Sequence, residues 1–361
     1  MKLSLLNGDV LEESADLPAG ARGFDTGELG ALLRTWPTPD AVGHRIAHGG
    51  AYYTGPIRVD AAVRDVLYEL TDLAPPHQAL ALAALDAVAA HLPEVGAVAC
   101  FDTAFHAGIP AAAATYAVPE DWRQRYAVRR YGFHGLSHAY AAHHAAQLLD
   151  RPVHGLRIVT CHLGAEASLA AVLDGRSVDT TMGFTPQEGL VMATRSGSVD
   201  PGLVLWLHEH GGLPIREIAN ALQEQSGLTA LAGTGDMRAV EAAAARNDRA
   251  ARLALDVYTH RLVGGIAAMA AATGGIDALV FTGGVGEKSP TVRQRAAERL
   301  GFLGVFVDRR RNATTRGDGD ISTPEAAVRT LVVTAREDLR IARETRKLLE
   351  RQMGRSGLAR T

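Results

Sequence analysis

Thr181-Met-Gly-Phe-Thr-Pro-Gln-Glu-Gly-Leu-Val-Met-Ala-Thr-Arg-Ser-Gly-Ser-Val-Asp-Pro201 is the stretch on which the reading of this chain turns. It is too polar and too rich in glycine for a core strand, and Pro186 and Pro201 break any helix. It therefore reads as a long ordered loop, a feature that compact domains usually keep for function. Arg195 stands near its end. A lone arginine in a loop is ordinarily a solvated surface charge, so this one gains interest only from the string around it.

Outside the loop, bulk properties narrow the possibilities. A length of 361 residues suggests two domains with sizeable cores. Hydrophobic residues make up 47% and charged residues 21%, the balance of a soluble globular protein rather than a disordered one. A net charge of -3 argues against nonspecific binding to nucleic acid or an anionic membrane. No apolar run is long enough to span a bilayer, and the polar residues that follow Met1 so closely do not make a signal peptide. Cys100 and Cys161 each close an apolar, strand-like run, which fits a reducing cytoplasm better than a structural disulfide.

Periodicity and turn chemistry give a coarse map of elements. Residues 2–11 read as a hairpin turning at Asn7-Gly8. Residues 12–40 carry Pro, Gly and Asp with weak pattern. Helices are expected at 59–73 and 78–92, then a buried strand that ends in polar residues by 106. Ser137 looks like the N-cap of a helix running to about 149. His134 lies just before it, where a helix N-terminus favours anions. A strand is expected at 156–164, helices at 204–210 and 215–225, and Ala-rich helices at 239–247 and 249–273. A buried strand from 276 ends in a glycine loop by Glu287. A helix at 293–300, a strand at 302–307, a polar loop at 309–320 and a strand at 331–334 follow, and the last helix starts at Glu337. His134, His138, His143 and His144 do not make a metal site, because no His-Glu-x-x-His pattern is present.

The 181–201 string closely resembles the signature M-G-[FL]-[ST]-P-x-[DE]-G-[LI]-x-M-[GA]-T-R-[CS]-G-[DS]-[ILV]-D-P of acetate kinases and related short-chain acyl kinases. Further strings resemble the same family. They include Gly43-His-Arg-Ile-Ala-His-Gly-Gly50, Phe101-Asp-Thr-Ala-Phe-His106, Arg129-Arg-Tyr-Gly-Phe-His-Gly-Leu-Ser-His138 and Phe281-Thr-Gly-Gly-Val-Gly-Glu287. Asp236 and Arg238 match its S-x-D-x-R string, and Glu337 matches the first acid of T-[ND]-E-E-L.

The resemblance implies the α/β, two-domain actin-like ATPase fold, each domain a mixed sheet flanked by helices. Residues 1–105 with 337–361 would form one domain and residues 106–336 the other, closing on a nucleotide. The implied reaction is reversible phosphoryl transfer from ATP to acetate, giving acetyl phosphate and ADP. Arg45 would hold the carboxylate, Arg195 and His134 would stabilise the phosphoryl, and Asp102 would orient metal water or substrate. Ala47, Phe133 and Pro186 would wall the acyl pocket; the family more often has valine at 47, so Ala47 leaves room for propionate. His162, Gly164, Asp236, Arg238, Gly283, Gly284, Gly286, Glu287 and Lys2 would contact the nucleotide. Mg²⁺ would be the cofactor, held by Glu337, and the enzyme would be a cytoplasmic homodimer.

The chain also departs from the pattern. The family's first strand and its Asn-Ala-Gly-Ser-Ser-Ser phosphate loop have no counterpart before Lys2, which aligns with the lysine after that loop. Placing Asn7 on that strand instead is disfavoured, because Gly8-Asp9-Val10 does not continue as Ala-Gly-Ser-Ser-Ser. Where relatives read H-L-G-N-G-[AC]-S, this chain reads His162-Leu-Gly-Ala-Glu-Ala-Ser168, which puts the Glu166 carboxylate beside an expected phosphate. Pro76 and Gln78 replace a leucine and an asparagine, and Arg336 stands where Asn or Asp is usual. The alternatives are a propionate or butyrate kinase, or a catalytically impaired member with a binding or regulatory role.

Overall fold

A computed structural model describes residues 1–20 and 23–358, with backbone alone for residues 76 and 353–358. The side chain of Pro76 thus lies outside the described residues. The chain forms two compact units, Met1–Ala107 with Arg336–Thr361, and Gly108–Ala335.

The first unit is built on a three-stranded sheet. The strand Gly96–Phe101 lies centrally, parallel to Ala41–Ile46 and antiparallel to Ile57–Arg58. In the parallel pair Arg45 faces Cys100 and Ile46 faces Phe101, so both strands end at one level. Asp102 follows at once and its N–H donates to the Ile46 carbonyl at 3.0 Å. On one face Ile46, Ala99 and Phe101 pack with Val63, Leu67, Leu82 and Leu85. These last four come from the helices Ala61–Glu69 and Pro75–His91. Against the same sheet lies the helix Glu337–Leu358. Gly43 permits that approach, since a Cβ there would fall 2.4 Å from Ile341 Cγ2.

Several expectations shift here. The hairpin pairs Lys2–Asn7 with Val10–Asp16, and Asn7 sits opposite Val10, so the turn residues are Gly8 and Asp9. Pro75 opens the second helix instead of preceding it, its missing N–H being harmless at that position. Gln78 therefore lies in the first turn. It is fully buried, accepts from the His48 N–H and donates to the carbonyls of His48 and Leu67. A helix at Thr26–Thr35, capped by Asp25, escaped the sequence reading. Its Gly30 weakens the helical pattern and leaves space that the His91 ring occupies, since a Cβ there would lie 2.3 Å from His91 Cε1.

The second unit carries a six-stranded mixed sheet. Its order is Arg176–Thr180, Ala167–Leu173, Arg157–Leu163, Ala278–Thr282, Arg329–Val332 and Gly319–Asp320. The middle three, Arg157–Leu163, Ala278–Thr282 and Arg329–Val332, run parallel. Alternation divides the faces. Val159, Cys161 and Leu163 join the core that includes Leu255, Tyr258 and Leu262 of the long helix Arg249–Ala272. Thr160 and His162 take the opposite side, where they bond to the helix Gly135–Leu148. The strand Ala167–Leu173 was missed because it is Ala-rich and buried almost throughout, so it shows no alternation.

Residues 181–200 contain no helix or strand. The loop is nonetheless fixed, because Met182, Leu190, Val191 and Met192 are buried in the unit's core. Pro201 does not stop a helix but starts one, Pro201–Glu209. Residues 302–307 are not a strand: a 3₁₀ turn Gly301–Leu303 precedes two isolated bridges at Val305 and Val307. The polar segment 309–320 begins as a helix, Arg309–Thr314, capped by Asp308. No helix of the described residues is long and apolar enough to cross a membrane, and Cys100 and Cys161 are free and buried.

Candidate active site

In the second unit Arg195 and His134 meet on one carboxylate. Arg195 Nη1 lies 2.9 Å from Glu166 Oε1 and His134 Nε2 lies 3.3 Å from Glu166 Oε2. Arg195 is 7% exposed and also donates to the Pro186 carbonyl at 3.3 Å. Loop glycines bring it there. Gly197 takes φ 71 and lies so close to Leu190 that a Cβ would fall 2.4 Å from its carbonyl oxygen. The turn carrying Glu166 is tied to the loop through Ala193 N–H, which donates to the Ala165 carbonyl at 2.9 Å. Glu166 is not among the described residues with positive φ, so this turn does not require the glycine that the family pattern suggested.

His134 has a left-handed backbone, φ 56 and ψ 23, at the N-cap of the helix Gly135–Leu148. That conformation costs a non-glycine residue about 1 kcal/mol or more and marks places where the surroundings dictate geometry. Ser137 is therefore not the cap; its hydroxyl bonds His162 Nδ1 at 2.7 Å. The His134 ring stacks on that of His162 at 4.3 Å. A buried chain runs behind it. His134 Nδ1 meets Ser168 Oγ at 2.8 Å, Ser168 Oγ meets His138 Nε2 at 2.8 Å, and His138 Nδ1 meets Thr160 Oγ1 at 2.7 Å. The carboxylate end fixes its direction, because Glu166 accepts only. His134 Nε2–H donates to it, so with a neutral ring Nδ1 accepts from Ser168, which in turn accepts from His138 Nε2–H. Nε2 of His134 thus presents a proton to whatever anion occupies the position of the carboxylate.

In the first unit three expected residues converge from separate segments. Arg45 Nε lies 3.2 and 3.1 Å from the two oxygens of Asp102, and Nη2 lies 2.7 Å from Oδ2. Glu337 Oε2 is 3.6 Å from the same Nε. Asp102 is nearly fully buried, whereas the Arg45 side chain is 47% exposed. Asp102 is thus the fixed member and orients the guanidinium. Arg336, which breaks the family pattern, grips Asp338 through Nε at 2.9 Å. Burial pushes the Asp338 carboxyl up, but the Arg336 bonds, with the Lys2 charge nearby, hold it below the usual carboxylate range. Ala47 is buried in this unit, while Phe133 and Pro186 are buried in the second, Phe133 within its core.

Of the residues expected at the nucleotide, Lys2 opens the strand Lys2–Asn7 of the first unit, and the others fall into three groups within the second unit. His162 and Gly164 close the central strand. Asp236 caps the helix Met237–Ala245 and pairs with Arg238 Nη2 at 2.8 Å on the surface. The expected glycine loop is a short helix, Gly283–Lys288, at the carboxyl end of Ala278–Thr282, where open α/β sheets bind ligands. A Cβ on Gly284 would meet nothing within 4 Å. Glu287 Oε1 accepts from the N–H groups of Gly283 at 3.0 Å and Ala335 at 2.9 Å, bracing this helix.

Sequence reading missed Arg293, which is 1% exposed and donates to the carbonyls of Gly286, Glu287 and Asn312. Burial pulls its guanidinium down to about 10. It also missed Ser168 and His138, although the spacing of His134 and His138 by one helical turn was a usable signal.

Comparison with known proteins bears on family and fold. The sequence model of the Acetokinase family matches residues 34–343. An acetate kinase of Deinococcus deserti is 47% identical over 339 residues, covering 93% of this chain and 84% of the relative. The crystal structure of Porphyromonas gingivalis acetate kinase superposes with a TM-score of 0.85 at 37% identity, covering 90% of this chain and 85% of that one. A propionate kinase structure from Francisella tularensis gives a TM-score of 0.83 at 34% identity, covering 88% and 82%.

Proposed function

Because this chain belongs to the acetokinase family, we infer that it works as an acetate kinase, moving a phosphoryl group reversibly between ATP and acetate. The observation that carries the reading is the pairing of Arg195 and His134 on a single bridging carboxylate, which supports a role for them in binding an anion. An acetate oxygen is already a nucleophile, so the reaction needs little proton chemistry. A bond forms between that oxygen and the γ-phosphorus, the bond to the bridging β–γ oxygen breaks, and ADP leaves. Catalysis then consists of positioning and of neutralising charge on the phosphoryl in flight.

Arg45 binds the acetate carboxylate, held in orientation by Asp102. Arg195 and the Nε2 proton of His134 donate to the phosphoryl oxygens. Gly164, Gly283, Gly284 and Gly286 offer thin backbone to the nucleotide, with His162, Asp236, Arg238 and the brace at Glu287 around it; family resemblance adds Lys2 as a nucleotide contact. For Mg²⁺, the donor set near Arg45 is two carboxylates, Asp102 and Glu337, and among the described residues no group of three His, Cys, Asp or Glu is placed to hold a metal ion. A few hard oxygens suit a magnesium ion that keeps waters and travels on nucleotide phosphates. Glu337 would hold it, Asp102 would orient its water, and when bound it neutralises phosphate charge. By family resemblance we read the enzyme as a homodimer.

The small Ala47 and the likeness to a propionate kinase favour propionate as a second acceptor. Acyl hydroxamate formed from ATP, Mg²⁺, hydroxylamine and either acid tests both readings. Product with acetate is expected, with propionate as a competing substrate; product with neither acid would remove the kinase reading.

A further inference from the structure

We propose that the Glu166 carboxylate stands where the oxygens of the transferring phosphoryl bind, so that Arg195 and His134 receive a phosphoryl only when Glu166 swings away. Residue 166 thereby sets the anion affinity of the site. The proposal rests on the assignment of Arg195 and His134 to phosphoryl binding. The carboxylate bridges the two donors, Oε1 lying 2.9 Å from Arg195 and Oε2 3.3 Å from His134, the same two-oxygen bridge that a phosphoryl offers.

The donors are the fixed partners. His134 is locked by Ser168 at 2.8 Å and by stacking on His162, and Arg195 is buried against the Pro186 carbonyl. The Glu166 side chain is 27% exposed, against 9% for Arg195 and 5% for His134, so it is the member of the three that reaches solvent. Its backbone need not follow, since the Gly164 N–H donates to the Glu166 carbonyl at 2.7 Å and Ala193 holds Ala165. A phosphoryl carries more negative charge than a carboxylate, so the exchange favours the phosphoryl; the cost of displacing Glu166 appears as weaker binding. A role in merely positioning Arg195 predicts the opposite sign, because losing the carboxylate would then loosen the site.

The experiment titrates the full chain with inorganic phosphate by calorimetry, comparing wild type, Glu166→Gln, Glu166→Gly and Glu166→Gln combined with Arg195→Ala. The single variants should bind phosphate on the order of tenfold more tightly, the scale set by a partly buried charge pair. The combined variant should lose that gain. In turnover the single variants should lower the KM for acetyl phosphate. A folded Glu166→Gln or Glu166→Gly protein with unchanged or weaker phosphate affinity would overturn the proposal. Absence of turnover in wild type would strike the kinase reading instead, and the phosphate titration would still decide the role of Glu166.

Discussion

Arg195 shows how far a single residue could be read in advance. Its string singled it out, and the fold places it, buried, against a carboxylate that a histidine also contacts. Arg45, Asp102 and Glu337 were legible in the same way, each from its own short string, and they meet in the first unit. Glu166 was legible as a carboxylate beside an expected phosphate, but its partners were not, because they lie on other segments and only the fold brings them within bonding distance. Gln78 is a second case: a departure from the family string at that position turns out to knit the His48 segment to the helices below it. At this scale the account predicts that Arg195→Ala lowers kcat by about 10² to 10³, the loss expected when one donor to a developing anion is removed. Steady-state kinetics with circular dichroism checks it. A folded variant with unchanged kcat would remove Arg195 from the chemistry.

At the scale of elements, long helices with clear periodicity were legible, whereas short or glycine-bearing ones were not. The helix Thr26–Thr35 was hidden by Gly30, against which the His91 ring packs, and the strand Ala167–Leu173 by burial on both faces. The segment 281–287 was expected at the nucleotide and read as a loop. Its first glycine explains the difference: Gly283 takes φ 78, and a Cβ there would lie 2.7 Å from the Leu163 carbonyl oxygen, so the chain turns directly from strand into helix. Gly283→Ala should therefore destabilise the second unit by about 1–3 kcal/mol, since the neighbour is backbone and cannot move aside cheaply. Thermal unfolding measures this, and the KM for ATP should rise with it because the helix Gly283–Lys288 is displaced. A variant with wild-type melting and wild-type KM would contradict the packing described for Gly283.

For the whole molecule, length suggested two domains and the family strings implied α/β units with mixed sheets, and the chain forms two compact units. Buried polar groups, which sequence does not reveal, set its response to acid. Burial lowers both His44 and His48 to about 4, so both are neutral in the folded protein. Because these values lie below the unfolded value, the stabilisation is present above about pH 6.5 and is lost as pH falls toward 4, up to about 3 kcal/mol per histidine. Denaturant midpoints should decline across that window, and His44→Leu should flatten the decline; equal slopes in the two proteins would contradict the assignment. The central claim, phosphoryl transfer between ATP and acetate, is tested most directly by ATP formation from ADP, Mg²⁺ and acetyl phosphate, followed by luciferase. The account predicts ATP release that saturates in both substrates. A chain that binds ADP yet makes no ATP would contradict it and would favour a binding or regulatory role.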